Sequence, residues 1–219
     1  MRMIGAAVVA LAIWFGTVPA LASATPARNE AQARQQYSER LGVARDAYFK
    51  VITNNDRDAD RRAHAALAEF EREYPGDPIG KAYHGSLQLL DAAHDWAIWN
   101  LHKEAAEGLS RLDEAVTQAP DEPEVRFIRA ATSWHLPSFY HRKAQYESDF
   151  ALLAPHAEED ARDGRIPPAL AAAALNYWGQ ILVGRKDNAS ARAAFATAIR
   201  IAPQSPGAVD AGLRLRQLR

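Results

Sequence analysis

The chain has 219 residues with 26 basic and 27 acidic side chains, giving a formal net charge of −1, and it contains no cysteine. A near-neutral balance argues against nucleic-acid binding, which needs a strongly basic face. The lack of cysteine excludes disulfides, thiolate nucleophiles and thiolate-held metals, so stability must come from apolar burial in one domain or a short repeat array.

Residues 1–24 are predicted to form a signal peptide. Arg2 precedes an uncharged apolar run, and small residues end the segment at Ala24, an order typical of a Sec-type signal. The alternative is an uncleaved anchor, because the run is nearly long enough to span a bilayer, but helix-breaking Pro19 favours cleavage after Ala24. We therefore expect residues 25–219 to be periplasmic or secreted, with no stable membrane insertion.

The mature chain is predicted to begin with a long amphipathic helix. Apolar side chains step by four, three, four and three positions, which is the spacing of one helix face. They are Tyr37, Leu41, Ala44, Tyr48 and Val51.

Three further amphipathic stretches each end at a proline. They are "AHAALAEFEREYP", "LSRLDEAVTQAP" and "YESDFALLAP", which end at Pro75, Pro120 and Pro155. Their apolar residues recur at helical spacing, and a proline marks the end of a helix because it cannot continue one. Each stretch is therefore predicted to be a helix that stops at or before its proline.

The stretch "DAAHDWAIWNLH" is a candidate metal site. Asp91, His94 and Asp95 lie three and four residues apart on one predicted helix face, and His102 lies two turns further on. Carboxylate and imidazole groups on one face can bind a divalent ion. The alternative is an ordinary solvated helix, and we expect no cofactor.

The stretch "SWHLPSFYHRK", residues 133–143, is predicted to be the bend between two helices. Proline disfavours helical geometry at the preceding residue and is tolerated in the first turn of a helix, so Pro137 suits such a bend. Phe139, Tyr146 and Phe150 are expected to face the core, and His135 to lie on the last turn of the preceding helix.

The segment "LNYWGQILVGRKDNASARAAFATAIRIAP" is predicted to be a helical hairpin, with a break at "GRKDN" between two amphipathic stretches. It resembles a tetratricopeptide repeat (TPR). With Pro203 at position 32 of that family's pattern, Gly179, Ala191, Phe195 and Ala198 fall at its positions 8, 20, 24 and 27. The resemblance implies that small residues let the two helices approach closely while Phe195 fills the space between them.

The resemblance extends more loosely to the earlier prolines, and it implies an all-α fold. We expect a TPR-like array of antiparallel helical hairpins, a short α-solenoid, closed by a capping helix over residues 206–218. Its repeat units are approximately residues 42–75, 76–120, 121–155 and 168–203.

The resemblance also implies a concave groove formed by the first helix of each unit, a surface that usually binds peptides or proteins. Several of its positions could instead contact the neighbouring unit. The expected groove residues are Tyr83, Ser86, Arg129, Thr132, His135, Asn176, Tyr177 and Gln180.

Three functions remain open at this point. The first is an exported, non-enzymatic adaptor that binds a protein or peptide in the groove. The second is a periplasmic metal- or small-ligand-handling protein that uses Asp91, His94, Asp95 and His102. The third is an accessory subunit of an envelope complex. Motifs of hydrolases and phosphate-binding loops are not found, so the sequence offers no positive support for an enzyme.

Overall fold

The computed structural model describes residues 24–54, 57–94 and 98–218. Within them the chain forms ten α-helices and no strand, which confirms the predicted all-α class. None of these helices is long and apolar enough to cross a membrane. The helices are α1 Ala24–Asn54, α2 Arg57–Glu73, α3 Pro78–His94, α4 Ile98–Gln118, α5 Pro123–Trp134, α6 Lys143–Leu153, α7 Ala157–Arg162, α8 Pro168–Gly184, α9 Asn188–Ile201 and α10 Pro206–Gln217.

The chain divides into two compact units, one up to Glu39 and one from Arg40 onward. In the first unit, the described start of α1 is mostly exposed and carries helical side-chain pairs, such as Gln35 donating to Glu39 at 2.9 Å. In the second unit, the predicted apolar face of α1 is buried, with Leu41, Ala44, Tyr48 and Val51 at most 5% exposed. The predicted signal peptide lies outside the described residues, apart from its last residue.

Four helices end two residues before a proline. Helices α2, α4, α6 and α9 stop ahead of Pro75, Pro120, Pro155 and Pro203, so these predicted helix ends are confirmed. Because proline lacks an amide hydrogen and restricts the residue before it, it stops a helix at about this distance.

Three of these prolines are followed by a second proline at the start of the next helix. The sequences are "PGDP", "PDEP" and "PQSP", and the residue before the second proline caps the helix. Asp77 accepts hydrogen bonds from the amides of Ile79 and Gly80 at 2.9 Å, and Ser205 accepts one from Ala208 at 3.3 Å. A side-chain cap followed by a first-turn proline begins a helix efficiently. The same turn therefore recurs at three junctions.

Neighbouring helices pack closely through small residues. In the α3–α4 pair, a Cβ atom at Gly85 would lie 2.8 Å from the carbonyl oxygen of Gly108, and one at Gly108 would lie equally close to that of Gly85. In the α8–α9 pair, a Cβ at Gly179 would lie 2.4 Å from the ring of Phe195, which is fully buried. The expected approach of small residues around Phe195 is therefore present in α8 and α9.

Helices that are not consecutive also contact one another, through residues that lie 34 to 42 positions apart along the chain. Tyr48 of α1 bonds Ser86 of α3, 38 residues on, and Tyr83 of α3 bonds Glu124 of α5, 41 residues on. Further along, His135, just after α5, is hydrogen-bonded to Tyr177 of α8, 42 residues on. Asn176 of α8 is hydrogen-bonded to Asp210 of α10, 34 residues on. Helices α1, α3, α5, α8 and α10 thus form one continuous series of neighbours, which we call the inner series.

Candidate functional site

Two expected groove residues on α3, Tyr83 and Ser86, are buried. They are at most 1% exposed. The Tyr83 hydroxyl donates to Glu124 Oε1 at 2.7 Å, and Ser86 Oγ lies 2.6 Å from Tyr48 Oη and 2.7 Å from Thr132 Oγ1. These side chains hold α1, α3 and α5 together and are not available to a ligand.

The buried tyrosines stay neutral over the physiological range. Burial raises the pKa of Tyr48 to about 12, although hydrogen bonds to Ser86 and Thr132 oppose the shift. Burial and the Glu124 carboxylate raise the pKa of Tyr83 well above its usual value. Arg45 pairs with the same carboxylate, which is fully buried, so Glu124 has both a cationic and a phenolic donor.

Arg129 does not project into an open groove, contrary to our expectation. Its side chain is 13% exposed. The guanidinium donates two hydrogen bonds to Asp149 of α6, of 2.9 Å and 2.8 Å, and one of 3.4 Å to Asp113 of α4. Asp149 is almost fully buried and also accepts a bond from Arg126 at 2.8 Å. A buried carboxylate without cationic partners is costly, and two arginines on α5 provide them.

Asn176 is likewise occupied within the fold. Its side chain is buried, and its amide nitrogen donates to Asp210 Oδ2 at 2.9 Å, which ties α8 to α10. Burial alone would raise the pKa of Asp210, but hydrogen bonds from Arg214 and Asn176 outweigh it and lower the pKa. Asp210 therefore stays ionised as an acceptor for both side chains.

The remaining expected groove residues keep access to solvent. His135 is exposed, whereas Thr132, Tyr177 and Gln180 are partly exposed. His135 Nε2 lies 3.0 Å from Tyr177 Oη, so the pair joins the end of α5 to α8. We call these four residues the His135–Tyr177 surface.

The ring of Tyr177 packs on an aromatic cluster formed by Phe150 and Trp134. The Tyr177 ring stacks on Phe150 at a centroid distance of 5.1 Å and lies 5.2 Å from Trp134. The imidazole of His135 is shielded from water on the side that packs against Tyr177, and this partial burial lowers its pKa; burial likewise raises the pKa of Tyr177, because both charged forms would lose hydration. At neutral pH the surface therefore presents an uncharged imidazole and a phenol on a rigid aromatic base.

The bend beside this surface differs from the prediction at two side chains. Helix α5 ends at Trp134 and α6 begins at Lys143, so Pro137 does lie between two helices. Phe150 is buried as expected, but Tyr146 is only partly buried, and Phe139 is 59% exposed instead of facing the core. The reason is a separate 3-10 turn, Ser138–Tyr140, which ends at His141 with φ +54° and leaves Phe139 outside the face of α6.

The structure places two side chains of α2, His64 and Asp60, beside Asp91. Asp91 Oδ2 lies 2.9 Å from Nε2 of His64 on α2, and Asp60 is the third member of the cluster. Burial raises the pKa of Asp91, the His64 side chain opposes this, and Asp60 adds to it. Asp95 and the side chains of His94 and His102 lie outside the described residues.

Sequence reasoning missed His64 and Asp60. Their spacing in "DRRAH" was a usable signal, since residues four apart share a helix face. Their partner Asp91 is on another helix and could not be identified from spacing.

Comparisons with protein families, with curated proteins and with solved structures gave no match.

Proposed function

We propose that the protein is a non-enzymatic adaptor built as a TPR-like array, and that it binds a protein or peptide. The proposal of an array is supported by the recurrent proline turn at three helix junctions and by contacts within the inner series at separations of 34 to 42 residues. A period of this length is typical of stacked helical hairpins. The close contact of Gly179 with Phe195 adds support, because it joins two positions on which the TPR resemblance depends.

The observation that carries the binding proposal is the His135–Tyr177 pair. It places a neutral imidazole and a phenol, both able to donate and accept hydrogen bonds, at the accessible edge of two successive helices of the inner series. An extended peptide offers alternating amide and carbonyl groups that such a pair can bind. The buried residues Tyr83, Ser86, Arg129 and Asn176 would then support the surface and make no contact with the partner.

Binding at this surface can be tested by site-specific photo-crosslinking. A photoreactive amino acid at Gln180, one turn from Tyr177 on α8, is expected to capture a discrete partner from envelope extract. The control carries the same group at Arg192, an exposed position on α9. Equal capture from both positions, or capture from Arg192 alone, would contradict the proposed binding face.

Substitutions then separate packing from recognition. Tyr177→Phe keeps the ring on Phe150 and Trp134 but removes the hydroxyl, and His135→Gln removes the imidazole. Each is expected to weaken the captured complex by about 1 kcal/mol or more, because a few anchors carry most binding energy. Arg192→Ala is the matched control and should bind normally.

Export is part of the same proposal. Removal of residues 1–24 would deliver the array to the periplasm or the medium. N-terminal sequencing of exported protein should then begin at Thr25, or at Ser23 if the earlier small-residue site is used. Recovery of the full-length chain in the membrane fraction would instead indicate an anchor.

A further inference from the structure

A polar cleft lies on helices α2, α3 and α4, in a different set of elements from the His135–Tyr177 surface. It encloses about 470 Å³. Its lining is dominated by groups that can bind cations through nitrogen or oxygen: His64, His84, Gln88, Asp91, Glu104 and Glu107, with Lys103 the one cation among the lining residues.

Two helices bring three potential metal ligands together at this cleft. Asp60 and His64 are one turn apart on α2, and Asp91 faces them from α3. His64 Nε2 lies 2.9 Å from Asp91 Oδ2 and 3.8 Å from Asp60 Oδ1, and all three ligand atoms lie within 4.8 Å of one another. In a tetrahedral zinc site with bonds of about 2.0 to 2.2 Å, ligand atoms are about 3.3 to 3.6 Å apart. Small movements of the three side chains would bring their ligand atoms to these separations.

An unpartnered oxygen lies on the wall of the same cleft. Oε1 of Gln88 is buried and has no hydrogen-bond partner among the described residues, while its amide nitrogen donates to Glu107 at 3.2 Å. Gln88 lies one turn before Asp91 on α3 and lines the same cleft. A buried carbonyl oxygen without a donor is costly, and a water molecule, free or metal-bound, would supply the missing donor.

We propose that Asp60, His64 and Asp91 bind a divalent transition-metal cation of the zinc type. Two carboxylates neutralise the charge of the cation, and the imidazole selects against calcium and magnesium, which prefer all-oxygen sites. A water molecule from the cleft would complete the coordination of the cation. This ligand set shares only Asp91 with the one expected from the sequence.

The side chains can exchange their present contacts for a cation without large movement. His64 and Asp91 form a partly exposed pair, with 43% and 34% of their side-chain surface accessible, so ions can reach them from solvent. Binding displaces any proton from Nε2 of His64, because only the neutral imidazole has a lone pair to offer. The ion then joins α2 to α3 at the point where Asp60 and Asp91 bring two like charges together.

The test is titration of the purified, tag-free protein with Zn²⁺, measured by isothermal titration calorimetry. One equivalent is expected to bind, and His64→Gln, Asp60→Asn and Asp91→Asn are each expected to weaken binding at least about tenfold, as loss of a direct ligand should. His156→Gln is the matched control, because His156 is an exposed histidine at the start of α7. Circular dichroism of every variant checks that it is folded. If Asp91→Asn unfolds, Asp60→Asn still tests the site, because the Asp60 side chain is partly exposed.

A double variant, His94→Gln with His102→Gln, separates this ligand set from the one expected from the sequence. It is expected to bind Zn²⁺ within about threefold of the native protein. Absence of stoichiometric binding, normal binding by both His64→Gln and Asp60→Asn, or loss of binding in the double variant would each overturn the proposal. Partner capture at Gln180 is measured independently, so failure of the metal site and failure of the adaptor proposal are distinguishable.

Discussion

Replacing Gly179 by alanine should destabilise the protein, although alanine is the better helix former. A Cβ atom at this position would lie 2.4, 2.7 and 2.8 Å from three ring atoms of Phe195. The ring is fully buried and cannot swing into solvent. Overpacking of this kind costs about 2 to 3 kcal/mol, against a gain of about 1 kcal/mol in helix propensity. The net loss is therefore about 1 to 2 kcal/mol in the free energy of unfolding.

Gly42→Ala provides the matched control. Gly42 is also inside a helix, but a Cβ there would meet no described atom within 4 Å, so only the propensity gain applies. This variant should be about 0.5 to 1 kcal/mol more stable than the native protein. The two substitutions are chemically identical, so the opposite sign isolates the contact with Phe195.

Urea denaturation followed by circular dichroism measures both variants, and thermal unfolding should show Gly179→Ala melting about 2 to 8 °C lower, given a chain of this size. Adding Phe195→Leu to Gly179→Ala should recover part of the loss, because the smaller side chain leaves space for the methyl group. If Gly179→Ala and Gly42→Ala were equally stabilising, the packing of α8 on α9 would be wrong.

The other predictions concern buried and titrating groups. Glu124→Gln should lower the free energy of unfolding by about 3 kcal/mol, because it leaves Arg45 without its carboxylate partner. Glu114→Gln, on the exposed face of α4, is the control and should change this free energy little. Denaturant titration of both variants measures the difference. The pKa of Tyr48 is raised to about 12 from a usual 10.0, so the unfolded chain loses this proton first as the pH rises. The contribution of Tyr48 to the free energy of unfolding should therefore be fully present below pH 10 and be lost between pH 10 and pH 12. A Tyr48→Phe variant with the same alkaline decline would contradict this. Partial burial of the imidazole lowers the pKa of His135 from its usual 6.5, so its contribution to the free energy of unfolding is fully present above pH 6.5 and is lost on acidification. NMR titration of the imidazole should show the lowered pKa. In His135→Gln the free energy of unfolding should fall less with decreasing pH than in the native protein.

The helices and their ends could be predicted because the signals are local. A proline acts on its own neighbours, so Pro75, Pro120, Pro155 and Pro203 each marked a helix end correctly. The apolar face of α1 was predictable for the same reason, since it depends only on spacing. Junctions with two prolines were also visible in the sequence and would have given the helix starts at Pro78, Pro123 and Pro206.

The candidate site was harder to predict because it depends on which helices face one another. Arg129 was expected to reach an open groove, but its role is set by Asp149, which is 20 residues further on and points back from α6. Phe139 was expected in the core because its spacing fits an extended α6, whereas a 3-10 turn intervenes. The pairing of His64 with Asp91 likewise follows from the packing of α2 on α3.

The ion pair between Arg45 and Glu124 joins side chains 79 residues apart and links α1 directly to α5. In a simple stack of helices, each element depends only on its immediate neighbours, so one end can open while the other stays folded. This long-range link removes that independence, because α5 cannot detach without leaving Arg45 of α1 without its carboxylate partner. Amide hydrogens in the Arg40–Asn54 part of α1 should consequently exchange at the same rate as those of α5, as members of one cooperative opening.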